Sequence, residues 1–553
     1  MKAWAAAARA AAIAGTVLGL GLGLVRGSAT WPWLSFTNAL RPAAVGWLIG
    51  LAASPLLGWA ASRRAPSGKQ HGRSKARRFL GGALTAAAVA PVVLWPAMLA
   101  PKGRLSTGRA PNDARPNIIF ITIDALRADH LGAYGSEDGL TPNLDAFAEE
   151  ATRYDAAYVS SPWTFTSFGS IFSSLPPSGC GLKLAAPGLH DWYLYSAKLP
   201  ESVKLVHEVL GETGYVTAAE LTNCFLTTER GWRRGFDYFR NEDGPELGAI
   251  LTRANTVTEN ALSWLRVNER EPFFLWVHYL DPHVPYNSPD TPREVREKYP
   301  SDWLTRREYW YRTMIHADEE TKARYRDFCR DMYREEVRFA DRWVAELLAG
   351  IGKAGLWDDS LIIISADHGE ELFDHGGFEH GHTLYEELLR VPLLVKWPGA
   401  DEASEVIEEL VALADLPATF LAAADAADTG EFRGSPLPRK AGVDGREAYS
   451  EGMFWGVERV ALTTPEYKII YQPYGYGSRP RFEVYDRRGD RAEQDDVADS
   501  DAADELRKRL VRLATESEAA AKQWEHPGKQ EFHGIDLSDA TREKLRALGY
   551  IGD

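Results

Sequence analysis

An aspartate and a histidine side by side, Asp367-His368, close the apolar run Leu361-Ile362-Ile363-Ile364. A carboxylate oxygen and an imidazole nitrogen at one strand end can ligate the same divalent cation, and Gly369 lets the backbone turn aside at once. Asp124 closes a second apolar run, residues 117–123. If the two runs are neighbouring strands, two carboxylates stand at one sheet edge, where open α/β sheets bind their ligands. Thr164 follows Pro162 near a predicted helix start, where free amides and the helix dipole favour an anion or a metal-bound alkoxide. Asn223 follows a third run, residues 214–221, and Asp281-Pro282-His283 follows a fourth, residues 273–280. His283 lies past that break and reads as a site residue, whereas His278 inside the run reads as a satisfied interior histidine. A Gly-rich loop then carries His375, His380 and His382. Such loops bury little, so at least one of these imidazoles is expected to be functional. Arg127 and Asp129 read as a structural ion pair.

These side chains need a scaffold. Aliphatic runs without polar alternation are what strands buried on both faces of a parallel sheet require, so an α/β fold with a central, mostly parallel sheet flanked by helices is expected. Residues 337–351 have helical spacing and lead into the Asp367 strand, and residues 390–396 form a further strand. Residues 287–334, dense in Arg, Glu, Tyr and Trp, are expected as an insertion of helices and loop over the site mouth. Beyond about residue 430, alternating pieces at 458–462, 467–472 and 481–485 predict a small antiparallel sheet. A helix over residues 501–522 and a polar tail follow.

Charge is unevenly spread along the 553 residues, whose formal net charge is −15. The first 115 residues hold 15 Lys and Arg and one acid, Asp113, while the rest hold 48 basic and 77 acidic residues, a formal −29. That balance excludes nonspecific nucleic-acid binding. Three apolar runs come first, residues 10–25, 42–62 and 79–100. The second and third reach the ~20 residues that span a bilayer, and the first is open to a second reading as a cleaved signal peptide. Seven Lys or Arg and no acid fall between Arg63 and Arg78, which puts that loop inside and the chain after residue 116 outside the cytoplasm. The expectation is a multi-pass protein of the cell membrane: residues 1–100 a membrane region of three transmembrane helices, 101–115 a linker, 116–430 a catalytic domain, and 431–553 a C-terminal subdomain and tail. Cys180, Cys224 and Cys329 have no close spacing, so neither a disulfide framework nor a structural zinc defines the fold.

Taken in order, Arg115-Pro116-Asn117 through Asp124, Thr141-Pro142-Asn143-Leu144-Asp145, Asp281-Pro282-His283, Ala366-Asp367-His368-Gly369, Gly381-His382-Thr383-Leu384-Tyr385-Glu386 and Arg390-Val391-Pro392 resemble the sulfatase family of the alkaline phosphatase superfamily. The resemblance covers roughly residues 115–553 and implies an alkaline-phosphatase-like fold. The family's C-x-P-S-R motif, whose Cys or Ser is matured to formylglycine, falls on Thr164. A rival frame through Ser160-Ser161-Pro162 lacks the Arg. Ala125 stands where calcium-binding sulfatases commonly carry a second Asp, and the Lys and His of the family's GKWHLG-like segment have no counterpart at residues 221–225. The remaining set, Asp124, Thr164, Asp367 and His368, is similar to the ligand pattern of membrane-anchored phosphotransferases such as lipoteichoic acid synthase and phosphoethanolamine transferases.

The resemblance implies a metal-dependent hydrolase or transferase of phosphate or sulfate esters, with glycan or lipid carriers. Thr164 would be nucleophile and ligand; Asn223, His283 and His382 would bind substrate, the two histidines also holding the transferred group or protonating the leaving oxygen. Two carboxylates, an imidazole and a hydroxyl suit manganese, magnesium or zinc, with calcium possible. A second metal on Asp281, His283 and His382 is an added option. A threonine cannot collapse to an aldehyde as a formylglycine hydrate does, so its covalent intermediate needs a second nucleophile, and phosphate esters are expected to be favoured. The alternatives are arylsulfatase-like hydrolysis of sulfate esters and non-catalytic binding of an anionic glycan or lipid.

Overall fold

The computed structural model describes residues 115–182, 198–241, 253–268, 272–305, 307–399, 405–427, 430–442, 446–452, 459–472 and 481–521. Its strands are β1 (Asn117–Ile123), β2 (Thr152–Tyr158), β3 (Val216–Leu221), β4 (Tyr238–Asn241), β5 (Phe273–Tyr279), β6 (Ser360–Ser365), β7 (Glu371–Leu372), β8 (Phe378–Glu379), β9 (Arg390–Val391), β10 (Leu393–Lys396) and β11 (Val406–Ala412). All but the β7–β8 hairpin join one sheet in the order β11-β2-β10-β6-β1-β5-β3-β4, with β9 beside β2. The four apolar runs read from the sequence are β6, β1, β5 and β3, consecutive and parallel. The sheet as a whole is mixed, because β10 runs antiparallel to both β6 and β2. A parallel partner needs a crossover, usually a helix. Between β6 and β10 the chain holds only the hairpin, one helical turn and β9.

Four helices matter here: α1 (Thr164–Ser173), α2 (Ala254–Asn268), α3 (Glu319–Lys353) and α4 (Leu416–Ala423). The period of two in β5 sorts its side chains between them. Phe274 and Trp276 meet Phe172 of α1, ring centroids 6.5 and 4.8 Å apart, and His278 meets Phe168 of α1 edge-on at 5.0 Å. Phe273 and Tyr279 face the other way, onto Trp264 and Thr258 of α2. On β1, Phe120 packs against Phe172 of α1 and Phe420 of α4. By the same period Thr122 and Asp124 fall on the α1 face, the face that carries Thr164. Truncating the wholly buried Trp276 to Ala would cost about 3–5 kcal/mol.

Helix α3 begins well before the expected residue 337: Asp318 caps it by accepting the Thr321 N–H at 2.8 Å. Its first turns carry so many Arg, Glu and Asp that no apolar period is legible there. The expected small sheet is β12 (Ala448–Gly452), β13 (Arg459–Thr463), β14 (Tyr467–Gln472) and β15 (Arg481–Asp486), antiparallel in that order. Val460, Leu462, Ile469 and Val484 of this sheet form a core of their own with Ala503, Leu506 and Leu510 of α5 (Asp501–Ala521).

The three expected transmembrane helices lie outside the described residues. Among the described residues no helix is long and apolar enough to cross a membrane; α3 is long enough, but it is charged along its length. The expectation of a multi-pass membrane location is corrected on that finding.

Candidate active site

Parallel strands β6, β1, β5 and β3 end on one edge of the sheet, and each is followed there by a polar side chain: Asp367, Asp124, His283 and Asn223. All four are buried. His368 Nε2 lies 3.5 Å from both Asp124 Oδ1 and Asp367 Oδ2. Thr164, the first residue of α1, puts its Oγ1 3.3 Å from His368 Nε2 and 3.5 Å from Asp124 Oδ2. Ser167 of the same helix donates to the Asp367 carbonyl at 2.6 Å, which ties α1 to the Asp367-His368 turn.

Each of the three ligand candidates has one atom held by the surrounding protein and another turned toward the common centre. Asp124 Oδ2 accepts from Asn223 Nδ2 at 3.0 Å, and Asp367 Oδ1 accepts from the amides of Ala125 and His368 at 3.4 and 3.1 Å. His368 Nδ1 donates to the Gly369 carbonyl at 2.8 Å, so its Nε2 holds a lone pair. The atoms left over, Asp124 Oδ1 and Asp367 Oδ2, have no hydrogen-bond partner although buried. These two oxygens each lie 3.5 Å from the Nε2 lone pair, and one ligand atom from each of the three residues lies within 4.8 Å of the others. Two carboxylates at zero exposure are costly without a cation, and this donor set fits a divalent one. Burial would raise the Asp124 carboxyl, but the imidazoles of His283, His278 and His368 prevail and hold it below the usual range. Burial and the charge of Asp124 push Asp367 well above its usual range, as happens when like charges share a site.

The expected histidines are distributed differently from the sequence reading. His283 sits beside the triad with Nδ1 on the Val284 carbonyl at 2.6 Å. His380, one member of the loop cluster, lies between His368, tilted at a centroid distance of 4.4 Å, and His283, edge-on at 4.7 Å, and its Nδ1 is 2.8 Å from Glu370 Oε1. His382 instead meets Glu371, Nε2 to Oε2 2.7 Å, and His375 meets Glu387 at 2.8 Å. Asn223, expected on substrate, has its amide on Asp124; its Oδ1 accepts the Phe225 N–H at 2.8 Å, which fixes which end faces the carboxylate. Asp281 is engaged by Arg253 at 2.5 Å and by the Ala254 amide at 2.9 Å, so a second metal on Asp281, His283 and His382 is not assembled. His278 is at the site after all, Nε2 3.3 Å from Asp124 Oδ2. Arg127 forks onto Asp129 and Asp374 and so forms the expected ion pair.

Residues 116–426 match the family model described as Sulfatase, and residues 373–519 match the one described as N-sulphoglucosamine sulphohydrolase, C-terminal. The chain belongs to the sulfatase family. It is 26% identical to an ulvan-active sulfatase of Formosa agariphila over 53% of this chain and 58% of that protein. To a Delta 4,5-hexuronate-2-O-sulfatase of Bacteroides thetaiotaomicron it is 23% identical over 69% of this chain and 85% of that one. It also superposes with a TM-score of 0.57 on a protein solved in complex with its substrate D-glucosamine-2-N,6-O-disulfate, at 19% identity, covering 75% of this chain and 100% of the other. At that identity the likeness is one of fold. This sulfatase starts α1 with a threonine, and its cysteines, Cys180, Cys224 and Cys329, are all buried elsewhere and unpaired in disulfides. Ala125 is held at φ 58°, in the left-handed region, with its amide on Asp367.

Proposed function

We propose that this sulfatase-family chain is a metal-dependent hydrolase of sulfate esters carried on sugars. The single observation that carries an ester-cleaving role is the convergence of Asp124 Oδ1, Asp367 Oδ2 and His368 Nε2 beside the Thr164 hydroxyl at a helix N-terminus. Support for sulfate comes from family membership and from relatives named for sulfated sugars: ulvan, a 2-O-sulfated hexuronate and glucosamine disulfate. This reverses the phosphoester preference expected from Thr164 alone.

A divalent cation bound by Asp124, Asp367, His368 and Thr164 would lower the pKa of the hydroxyl and screen the oxyanion. Thr164 Oγ1 attacks sulfur, the bond from sulfur to the sugar oxygen breaks, and that oxygen leaves with a proton. Water then attacks the sulfur of the threonine ester, returning the hydroxyl and releasing sulfate. His283 and His380, whose rings meet each other while His380 also meets His368, hold the transferred group or protonate the leaving oxygen. His382 shapes the loop through Glu371.

Phosphate esters are the second reading, favoured by one observation: the residue at the start of α1 is a threonine. Turnover of an aryl sulfate, a sulfated disaccharide, an aryl phosphate and an aryl phosphodiester by manganese-loaded protein separates the two. Faster release from the sulfates is expected; a faster phosphodiester moves the assignment to phosphoryl transfer, and no turnover of any by folded, metal-bound protein rejects both.

A further inference from the structure

Behind the metal-ligand candidates runs a line of three side chains to which ester cleavage by itself assigns no role. Trp276 Nε1 lies 3.0 Å from Thr122 Oγ1, Thr122 Oγ1 lies 2.9 Å from His278 Nδ1, and His278 Nε2 lies 3.3 Å from Asp124 Oδ2. All four residues are buried at zero exposure on the α1 face of β1 and β5. The direction of this line follows from its first member. An indole N–H can only donate, so Thr122 Oγ1 accepts from it. The threonine hydrogen then goes to the nearer of two acceptors, His278 Nδ1 at 2.9 Å rather than the Val277 carbonyl at 3.4 Å. With Nδ1 accepting, the ring proton is on Nε2, which makes no hydrogen bond in this structure and lies 3.3 Å from Asp124 Oδ2, where its N–H dipole faces the carboxylate. The opposite tautomer would point a lone pair at a carboxylate oxygen, two like partial charges with nothing between them.

We infer that His278 is a positioning residue: the Trp276–Thr122–His278 line makes it an Nε2–H donor to Asp124 Oδ2 and so leaves Oδ1 as the oxygen that binds the divalent cation. Asn223 Nδ2 reaches the same Oδ2 at 3.0 Å from the other strand. Two donors on one oxygen orient the carboxylate and turn its other oxygen toward Asp367 Oδ2 and His368 Nε2. The inference rests on the metal half of the proposed function and is indifferent to which ester is cut.

Manganese alone is the probe. Full-length protein stripped of metal is titrated calorimetrically with Mn2+ as wild type, His278→Phe, His278→Gln and Thr122→Val, and metal-free thermal unfolding is followed for each. His278→Phe should weaken binding by about 10- to 100-fold, the range for a lost partner of a metal ligand. His278→Gln, whose amide N–H stands where Nε2–H was, should recover most of the affinity, and Thr122→Val should fall between the two. Equal affinity of His278→Phe and wild type overturns the inference, as does a Gln variant as weak as Phe, since packing alone would then explain the loss. Should His278→Phe fail to fold, Thr122→Val against Thr122→Ser decides in the same way: Ser keeps the hydroxyl and should keep the affinity, and equal affinities overturn the line. Mn2+ binding without turnover of any ester leaves this inference standing and removes the hydrolase reading, whereas no binding by wild type removes both.

Discussion

Thr164 Oγ1 stands 3.3 Å from His368 Nε2, and the ring's other nitrogen is spent on the Gly369 carbonyl. The hydroxyl hydrogen therefore has a basic lone pair to point at, and a cation arriving there would compete with that hydrogen for both atoms. Thr164→Ala should lower kcat by about a thousandfold or more, as loss of a nucleophile does, while changing stability by only about 0.5–2 kcal/mol. Thr164→Ser should stay active. A Thr164→Ala protein with wild-type kcat would remove the nucleophile from the mechanism.

Metal loss should be visible without any substrate. With free Mn2+ at about 100 times its dissociation constant, the folded protein gains ~2.7 kcal/mol over the metal-free form, so a chelator should lower the melting temperature of wild type. His368→Ala should show no such manganese-dependent shift and should retain no metal through desalting. A full shift in that variant would mean that the cation is held by other groups.

Ala125 offers no side-chain oxygen beside Asp124. Its left-handed backbone, φ 58°, is one that Asp tolerates better than most residues. Ala125→Asp adds an oxygen ligand next to Asp124, which favours calcium, a cation of 6–8 oxygen ligands. The variant should melt lower than wild type in chelator, because a further buried carboxylate lacks its partner, and calcium should restore it. An unchanged ratio of calcium to manganese affinity would show that residue 125 does not reach the cation.

Acid sensitivity should trace in part to His207, far from the triad in sequence. The ring is fully buried, stacked 4.0 Å from Phe236, with Nε2 donating to the Arg234 carbonyl at 2.9 Å. Burial pushes its pKa down to about 3, and the Arg234 carbonyl only partly opposes this. The unfolded chain takes up that proton near pH 6.5, the folded one only near 3, so stability is full above 6.5 and is lost as pH falls between the two. At about 1.4 kcal/mol per unit, wild type should lose ~2 kcal/mol between pH 6.5 and 5 from this group. His207→Gln keeps an N–H and cannot titrate, and urea unfolding should show it losing that much less; parallel losses would clear His207.

Strand ends were legible because unbroken aliphatic runs have one physical explanation and one polar residue stops each of them. Asp124 and Asp367 are therefore legible as two carboxylates at one sheet edge, and Asn223 and His283 as the polar residues that follow two further runs. The place of His278 was not legible: in a strand buried on both sides, as all seven residues of β5 are, hydrophobicity no longer alternates and nothing marks which face an imidazole takes. His380 and His382 are separated by a single glycine, and which of them faces the triad depends on how the β7–β8 hairpin folds back, a tertiary choice with no local signal. The direction of β10 and the charged first half of α3 were hidden for the same reason: neither is encoded in a repeat.

The place of β1 at the centre of the sheet also has a consequence during synthesis. Its neighbours β5 and β6 lie far downstream, and at about 5–20 residues per second the ribosome needs roughly 12 to 50 s to pass from Asp124 to Asp367. For that interval the emerging chain carries Ile118-Ile119-Phe120-Ile121 with at least one strand edge unpaired and a carboxylate at its end with no cation site to join. A nascent chain stalled between β5 and β6 would hold a half-built sheet that no metal can close, so the rate of elongation through α3 governs how long its most apolar strand stays open to other chains.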